Sequence, residues 1–212
     1  MNTRIKATLK SLSLSLVALA MIALGQNVAR AEMVTFSTTG CFGAGCTPVA
    51  ATSTTSGGAT ATFANQTSTT VNTSTPSGFT VADLGTITLS GTGTFTPTPF
   101  TLRVSQTAPT VGSGDFFGTL TGTILPGGMG SDTRIVFSNT MLMIGSVTYQ
   151  MANLTGGNTV FLDPTATGGV TRISALISAP AAIPEPATMI LLGTGLAGAA
   201  GAARRRRNAA RN

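Results

Sequence analysis

Apolar and polar residues alternate along most of the chain between Glu32 and about Ala182. A period of two is typical of β-strands that turn one face toward a core. Glycine-rich turns separate the alternating runs, so the pattern predicts an all-β domain, an antiparallel β-sandwich or jelly roll. The positions that share a face are Val34 and Phe36; Ala59, Ala61 and Phe63; Ile87, Leu89, Gly91, Gly93 and Phe95; Leu102 and Val104; Phe116, Gly118, Leu120, Gly122 and Ile124; Ile135 and Phe137; Val147, Tyr149 and Met151; Val160 and Leu162; Ile173, Ala175 and Ile177.

Two stretches of this domain depart from simple alternation. Met141–Ile144 is apolar throughout, and the Gly145 that follows it favours a strand buried on both faces over a helix. Residues 47–75 consist almost wholly of Ala, Thr, Ser and Gly, so they bury little surface per ordered residue. We expect that stretch to be a mobile loop or a weak pair of edge strands.

The N-terminal residues have the order of a secretory signal peptide. Arg4, Lys6 and Lys10 precede an apolar segment at residues 12–24. Small residues two apart, Ala29 and Ala31, then form a cleavage site. We predict a signal peptide at residues 1–31, cleaved after Ala31 and delivered by Sec-type export machinery. A transmembrane anchor is the alternative, although the apolar run is short for one.

The C-terminal residues, 183–212, contain three elements in order. Pro184, Glu185 and Pro186 form a segment that is barred from helices and central strands, because proline fixes φ and lacks an amide donor. An uncharged run at 187–203 follows, and as a helix its roughly 17 residues would span about 25 Å, at the short end for a bilayer. Arginines at all four positions 204–207 would hold that end on the cytoplasmic side.

This order closely resembles the PEP-CTERM sorting signal of exported bacterial proteins. The residues that carry the resemblance are Pro184, Glu185, Pro186, Ala187 and Thr188, the core from Leu191 to Gly198, and Arg204, Arg205, Arg206 and Arg207. The resemblance implies recognition by an exosortase, a membrane-embedded cysteine-type transpeptidase, with cleavage near Pro-Glu-Pro and transfer to the cell exterior. Such proteins usually come from Gram-negative bacteria that make exopolysaccharide. The extension 208–212 departs from the pattern, and an ordinary C-terminal membrane anchor is the alternative.

Charge is confined largely to these two end segments. The formal net charge of the chain is +6, but four basic residues precede Glu32 and five lie from Arg204 onward. The stretch between these two basic groups, residues 32–203, has three arginines and six acids. A nucleic-acid-binding protein needs a basic patch on its folded domain. Nucleic acid is therefore excluded as a partner.

Cys41 and Cys46 are the only cysteines, and they flank a glycine-rich segment. Two neighbouring thiols usually oxidise after export, and the glycines let the Cα atoms approach within about 7 Å. We predict a local structural disulfide, with free thiols or lipid attachment as the alternative. Because the chain has no histidine, a metal site would lack its commonest ligand, and we expect no metal and no cofactor.

Most catalytic arrangements lack their base in this chain. There is no histidine, and the only lysines lie in the predicted signal peptide. A two-carboxylate glycosidase site remains, with the four aspartates of the domain as candidates. Each aspartate lies near Gly, Ser or Pro, so we expect it to accept hydrogen bonds from turn backbone, with calcium ligation as a lesser alternative. The four candidates are Asp83, Asp115, Asp132 and Asp163.

Three functions agree with these features. The first is a non-enzymatic surface or extracellular-matrix protein, held transiently in the inner membrane, processed by an exosortase and associated with exopolysaccharide or biofilm. The second is a carbohydrate-binding β-sandwich module, although sugar platforms usually use Trp or Tyr and this chain has one Tyr. The third is a glycan-acting enzyme. Arg103, Arg134 and Arg172 lie in predicted strands, where solvated faces or ion pairs are expected.

Overall fold

The computed structural model describes residues 33–73, 75, 77–128, 131–163, 169–179, 193–195, 197, 198 and 201. The chain divides into two compact units, one of Ala31–Ala181 and one of Met1–Arg30 with Ala182–Asn212. The strands all belong to the first unit, which is called the β-domain below. The predicted signal peptide lies outside the described residues and stays a prediction.

Twelve strands and one short 3₁₀ turn, Pro126–Gly128, make up the described β-domain. The strands correspond to the alternating runs of the sequence, and the longest of them follow one another in the middle of the domain. In chain order they are β1 (Met33–Phe42), β2 (Ala51–Ser56), β3 (Ala59–Asn65), β4 (Thr69–Asn72), β5 (Thr80–Gly91), β6 (Gly93–Ala108), β7 (Gly112–Ile124), β8 (Arg134–Phe137), β9 (Met141–Ile144), β10 (Val147–Met151), β11 (Thr159–Phe161) and β12 (Val170–Ser178).

The strands form two six-stranded sheets in which every pairing is antiparallel. Sheet 1 has the order β11-β8-β7-β6-β1-β4, and sheet 2 has the order β2-β3-β5-β12-β10-β9. The inner faces of both sheets contribute to a single apolar core. These findings confirm the all-β class and the sandwich-like architecture.

Aromatic rings join the two sheets across that core. Phe36 of β1 meets Tyr149 of β10 edge to face, with ring centroids 5.8 Å apart. Phe100 of β6 meets Phe63 of β3 at 5.6 Å. Such aromatic pairs add stabilisation beyond the area that they bury. The residues that the alternation placed on one face are the ones that line this core, including Leu102, Val104, Phe116, Leu120, Ile124, Ile135, Phe137, Val147, Val160, Ile173 and Ile177.

One predicted run proves to be two strands in different sheets. The series from Ile87 to Phe95 has a regular period, yet β5 ends at Gly91 in sheet 2 and β6 begins at Gly93 in sheet 1. Gly91 and Gly93 have φ of 75° and 150°, and a Cβ at either position would collide with the backbone of the β2–β3 turn. The glycines that extended the apparent period are therefore the point at which the chain passes between the sheets.

Strand β9 corrects another expectation. Met141–Ile144 is a strand as predicted, but it is the edge strand of sheet 2 and is not buried on both faces. Met141 and Met143 are 58% and 66% exposed, because only the Leu142 and Ile144 side of the strand faces sheet 1. An apolar run does not distinguish a central strand from an edge strand.

The Thr- and Ser-rich stretch at 47–75 contains the strands β2, β3 and β4. Strands β2 and β4 are edges, as the strand alternative expected. Strand β3 lies inside sheet 2, however, and buries Ala59, Ala61 and Phe63 completely. Phe63 and the two alanines therefore join this segment to the core.

A polar contact also crosses the interior. The Tyr149 hydroxyl donates a hydrogen bond to Gln106 Oε1 at 2.8 Å, and both side chains are buried. Gln106 Nε2 in turn donates to the Thr110 carbonyl at 2.8 Å. Because Gln106 lies on β6 and Tyr149 on β10, this contact joins sheet 1 to sheet 2 through neutral groups.

Candidate functional site

Strand β12 carries the chain from the β-domain toward the predicted sorting segment. It lies between β5 and β10, and its last residues pair on both sides, Ile177 with Thr80 and Ser178 with Thr148. The segment is thus attached to an inner strand of sheet 2. A cut beyond β12 would leave every strand of the sandwich in place.

Little of the sorting segment itself is described. Pro184, Glu185, Pro186 and the arginines at 204–207 lie outside the described residues, as does most of the predicted helix at 187–203. The described residues of this segment, 193–195, 197, 198 and 201, are helical. Among the residues that the structure describes, no helix is long and apolar enough to cross a membrane. The transmembrane helix stays a prediction.

The structure contains the disulfide that the sequence predicts. Cys41 and Cys46 are bonded, with their Cα atoms 5.9 Å apart. Gly43 and Gly45 between them have φ of 108° and 66°, a backbone region that glycine adopts without strain. The disulfide closes the loop that follows β1. It leaves no free thiol in the described domain, which also holds no cluster of metal-binding side chains.

The aspartate candidates do not behave alike. Asp83 and Asp115 lie within β5 and β7, so the expectation of a turn role is wrong for both. Each instead forms an ion pair with an arginine on a neighbouring strand, Asp83 with Arg172 and Asp115 with Arg103. Cross-strand neighbours of opposite charge favour this arrangement. The two carboxylates belong to different sheets, so they do not form a pair with each other.

Asp132 lies in the connection before β8 and accepts a backbone hydrogen bond as predicted, although the donor belongs to strand β7 and not to a turn. Its Oδ1 accepts a hydrogen bond from the Thr123 amide at 2.7 Å, and its Oδ2 pairs with Arg134 at 3.3 Å. Asp163 follows β11, where its amide donates to Thr171 Oγ1 at 2.7 Å. Each of the three arginines in the described domain is therefore paired with a different aspartate.

The outer face of sheet 1 assembles a site that the sequence did not reveal. Arg103 of β6 and Asp115 of β7 lie directly opposite each other, with Nε–Oδ1 and Nη2–Oδ2 distances of 2.8 and 2.9 Å. Phe117 lies two residues along β7 on the same face and is 51% exposed. Asn139 holds this part of β7, accepting from the Phe117 amide and donating to the Asp115 carbonyl.

We call Arg103, Asp115, Phe117 and Thr101 the Phe117 platform. Thr101 is the cross-strand neighbour of Phe117 and also of Cys41, so the platform extends toward the disulfide. The hydrogen bond from Arg103 to Asp115, together with the carboxylate charge, raises the pKa of the guanidinium above its ordinary value. The platform combines an apolar ring with a fixed planar array of donors and acceptors. Alternation placed these residues outward, but only the β6–β7 register brings them together.

The comparisons with known proteins concern the C-terminal segment. Residues 182–207 match the family model of the PEP-CTERM protein-sorting motif, a match that includes Pro184–Pro186 and the four arginines. Searches of curated proteins and of solved structures gave no match. The motif implies an exosortase as the processing partner and export with a membrane-anchored C-terminal signal. This chain, a β-sandwich followed at residues 182–207 by a PEP-CTERM protein-sorting motif, carries the signal of an exosortase-sorted extracellular protein.

Proposed function

We propose that the chain is the precursor of a non-enzymatic surface or extracellular-matrix protein that associates with exopolysaccharide or biofilm. Sec-type machinery exports it, residues 187–203 hold it transiently in the inner membrane, and an exosortase cuts it near Pro184–Pro186. The observation that carries the proposal is that the sorting motif follows a compact β-domain immediately in the sequence. The mature product would be the sandwich alone.

Two features of the β-domain support a structural role. Each of its three arginines forms an ion pair with an aspartate at the surface. The carboxylates of Asp83, Asp115 and Asp132 are therefore all paired. The sequence supplies no histidine, and no lysine after Lys10, to act as a general base. A protein that holds its place in a matrix needs a stable fold and a compatible surface, and the outward positions of many strands are Thr or Ser.

Intact and peptide mass spectrometry of the protein from its native host tests this proposal. Membranes and the surface or culture-medium fraction are analysed separately. We expect an external form that begins at Glu32 and ends near Pro184, because both cleavages remove the end segments. Membrane material that retains Arg204–Asn212 as the sole species would contradict the sorting step.

A matched pair of variants sharpens that experiment. Replacing Pro184, Glu185 and Pro186 together with alanine should abolish the external form and trap uncut precursor in the membrane. The control is Asn208→Ala, which changes a residue beyond the four arginines and should leave processing intact. Normal release of the first variant would show that the motif is not the signal that is cut.

A second candidate function, a carbohydrate-binding module, is favoured by the Phe117 platform. Exposed aromatic rings stack on the apolar faces of sugars, and a paired guanidinium and carboxylate offer donors and acceptors to the hydroxyl groups. The ion pair also fixes the positions of these groups before a ligand arrives, which lowers the entropic cost of binding. The ligand class would be a neutral or weakly acidic polysaccharide chain.

Retention of the exported protein on immobilised exopolysaccharide from the host tests this second function. Phe117→Ala should reduce retention at least tenfold. Phe161→Ala is the matched control, because Phe161 is also 51% exposed and lies on β11 of the same sheet. Equal retention of both variants and of the wild type would exclude the platform as a binding site and leave the structural role alone.

A further inference from the structure

The edge formed by β9 differs from other edges of the sandwich. Two of those edges have contacts beyond their own sheet pairing. Thr155 exchanges backbone hydrogen bonds with Thr159 beside β11, and Ser56 at the end of β2 donates to the Thr94 carbonyl of β6. Strand β9 has such a contact at its last residue, where Gln106 Nε2 donates to the Ile144 carbonyl at 3.4 Å, but within the part of the chain that the structure describes Met141, Leu142 and Met143 have none. The strand also contains neither a charged residue nor a proline, the usual protections of an edge strand.

The register of β9 shows which of its backbone groups are free. Leu142 lies opposite Tyr149, and the Met151 amide donates to the Thr140 carbonyl at 2.8 Å. Hydrogen-bonded pairs alternate along an antiparallel ladder, so the amide and carbonyl of Leu142 point toward β10. Those of Met141 and Met143 therefore point away from the sheet.

The side chains of the same two residues lie on the outer face of sheet 2. There Met141 ends a row of cross-strand neighbours on four strands, three of which are apolar and one of which is Gln150. Met141 is opposite Gln150, which is opposite Leu176, which in turn is opposite Val81. Val81 is exposed and Leu176 is partly exposed, so the row ends at β9 with no cover among the described residues. Exposed apolar side chains at an open edge, here Met141 and Met143, are typical of an association surface.

We propose that β9 joins two copies of this chain, pairing antiparallel about a two-fold axis at Leu142. In that register Met141 of each copy lies opposite Met143 of the other. The free amide and carbonyl groups of both residues then form four hydrogen bonds, and sheet 2 continues across the two copies. The register also keeps every outward side chain outward, which a shift by one residue would not.

The spacing of the free backbone groups of β9 favours pairing with a second copy of β9 over pairing with an unrelated strand. The two free residues of β9 are two apart, so a two-fold axis at the residue between them pairs all of their groups at once. Methionine meets methionine, and no charge is brought near a like charge. Each copy has one β9, so the contact closes at a dimer and does not propagate.

Cysteine cross-linking in the full chain, expressed in its host, tests the dimer. The two Leu142 residues would occupy a non-hydrogen-bonded pair with Cα atoms about 4.5 Å apart, within the range that a disulfide bridges. Leu142→Cys should give a disulfide-linked species of twice the chain mass on non-reducing gels. Thr70→Cys, on the exposed edge strand β4, is the control for chance collisions and should give at least tenfold less.

A second substitution separates pairing from proximity. Met143→Lys changes a side chain that is 66% exposed, so the β-domain should fold normally. Added to Leu142→Cys, it should reduce cross-linking at least fivefold, whereas Met143→Leu should not. Cross-linking of Leu142→Cys no greater than that of Thr70→Cys, or unchanged by Met143→Lys, would overturn the proposal. A product whose mass shows a different protein would overturn it too, since β9 would then pair with that protein.

Discussion

The β-domain makes polar side-chain contacts of two kinds, one buried between its sheets and the others on its surface. Inside, the neutral pair of Gln106 and Tyr149 crosses from sheet 1 to sheet 2. Outside, the ion pair of Arg103 with Asp115 connects neighbouring strands of sheet 1, and that of Arg172 with Asp83 connects neighbouring strands of sheet 2. If one member of the buried pair is removed, no water can take its place as a hydrogen-bond partner. Water can do so for each exposed group.

This difference predicts that the buried neutral pair contributes more to stability than the exposed ion pairs. A ranking by charge alone would give the opposite order. A buried polar atom without a partner loses its full hydration, at a cost of about 1–3 kcal/mol. An exposed ion pair contributes roughly 0–1 kcal/mol, because water and salt screen it and the side chains lose entropy. The neutral contact should therefore matter more to folding than the charged ones.

Removing Gln106 should have the largest effect. Gln106→Ala leaves the Tyr149 hydroxyl unpaired in the core and opens a cavity, which together should lower the free energy of unfolding by about 3 kcal/mol. Urea unfolding of the exported form measures it. The double variant with Tyr149→Phe should lose less than the sum of the single variants, by about 1 kcal/mol. Additive losses would mean that the two side chains do not support each other.

Removing the disulfide should have the next largest effect, although its loop lies on the surface. Cys41→Ala with Cys46→Ala frees a short loop, and the entropy gained by the unfolded chain should cost about 2 kcal/mol of stability. Reduction of the wild type should lower the urea midpoint equally. An unchanged midpoint in the variant would show that the loop is held by packing, for instance by the contact of Phe42 with Phe100.

High pH should weaken the fold through Tyr149. Burial raises the pKa of its phenol above the ordinary value of about 10. Above that pH the unfolded chain releases a proton that the folded chain keeps, so stability is complete below pH 10 and falls by about 1.4 kcal/mol per pH unit above it. The domain has no histidine or lysine to obscure this slope. Urea unfolding of the wild type between pH 8 and about 11.5 measures it. The slope should disappear in Tyr149→Phe, and its persistence would assign it to another group.

The exposed ion pairs should have the smallest effects. A double-mutant cycle with Arg103→Met and Asp115→Asn should give a coupling of about 0.5–1 kcal/mol, since this pair is bidentate. The same cycle on Arg134 and Asp132, whose side chains share a single longer contact, should give a coupling near zero. A coupling above that of Gln106 and Tyr149 would reverse the comparison.

Alternation predicted the core of this fold well, because a strand with one buried face must place apolar residues at every second position. Phe36, Phe63, Phe116 and Tyr149 were all assigned to buried faces in this way. It failed at Gly91 and Gly93, where glycine satisfied the period and also let the chain change sheets. It could not identify β9 as an edge, since strand order depends on which strands pair.

The candidate sites also divide into those that sequence spacing could predict and those that depend on strand pairing. Cys41 and Cys46 are close in sequence, so their disulfide could be predicted from spacing. Arg103 and Asp115 are separated by a whole turn between β6 and β7, and nothing local specifies that they are opposite. Asp83 and Arg172 lie much farther apart in the chain and meet only because β12 pairs with β5.

The sequence by itself determined the β-class of the domain, the buried face of most of its strands and the sorting motif at residues 182–207. These properties depend on residue types at short, regular spacing, which can be identified without knowing how distant parts of the chain pack. The tertiary structure alone decided the order of strands, the aspartate–arginine pairs, the Phe117 platform and the open edge of β9. Each of these depends on register between strands distant in the chain, which is set by the packing of the whole core.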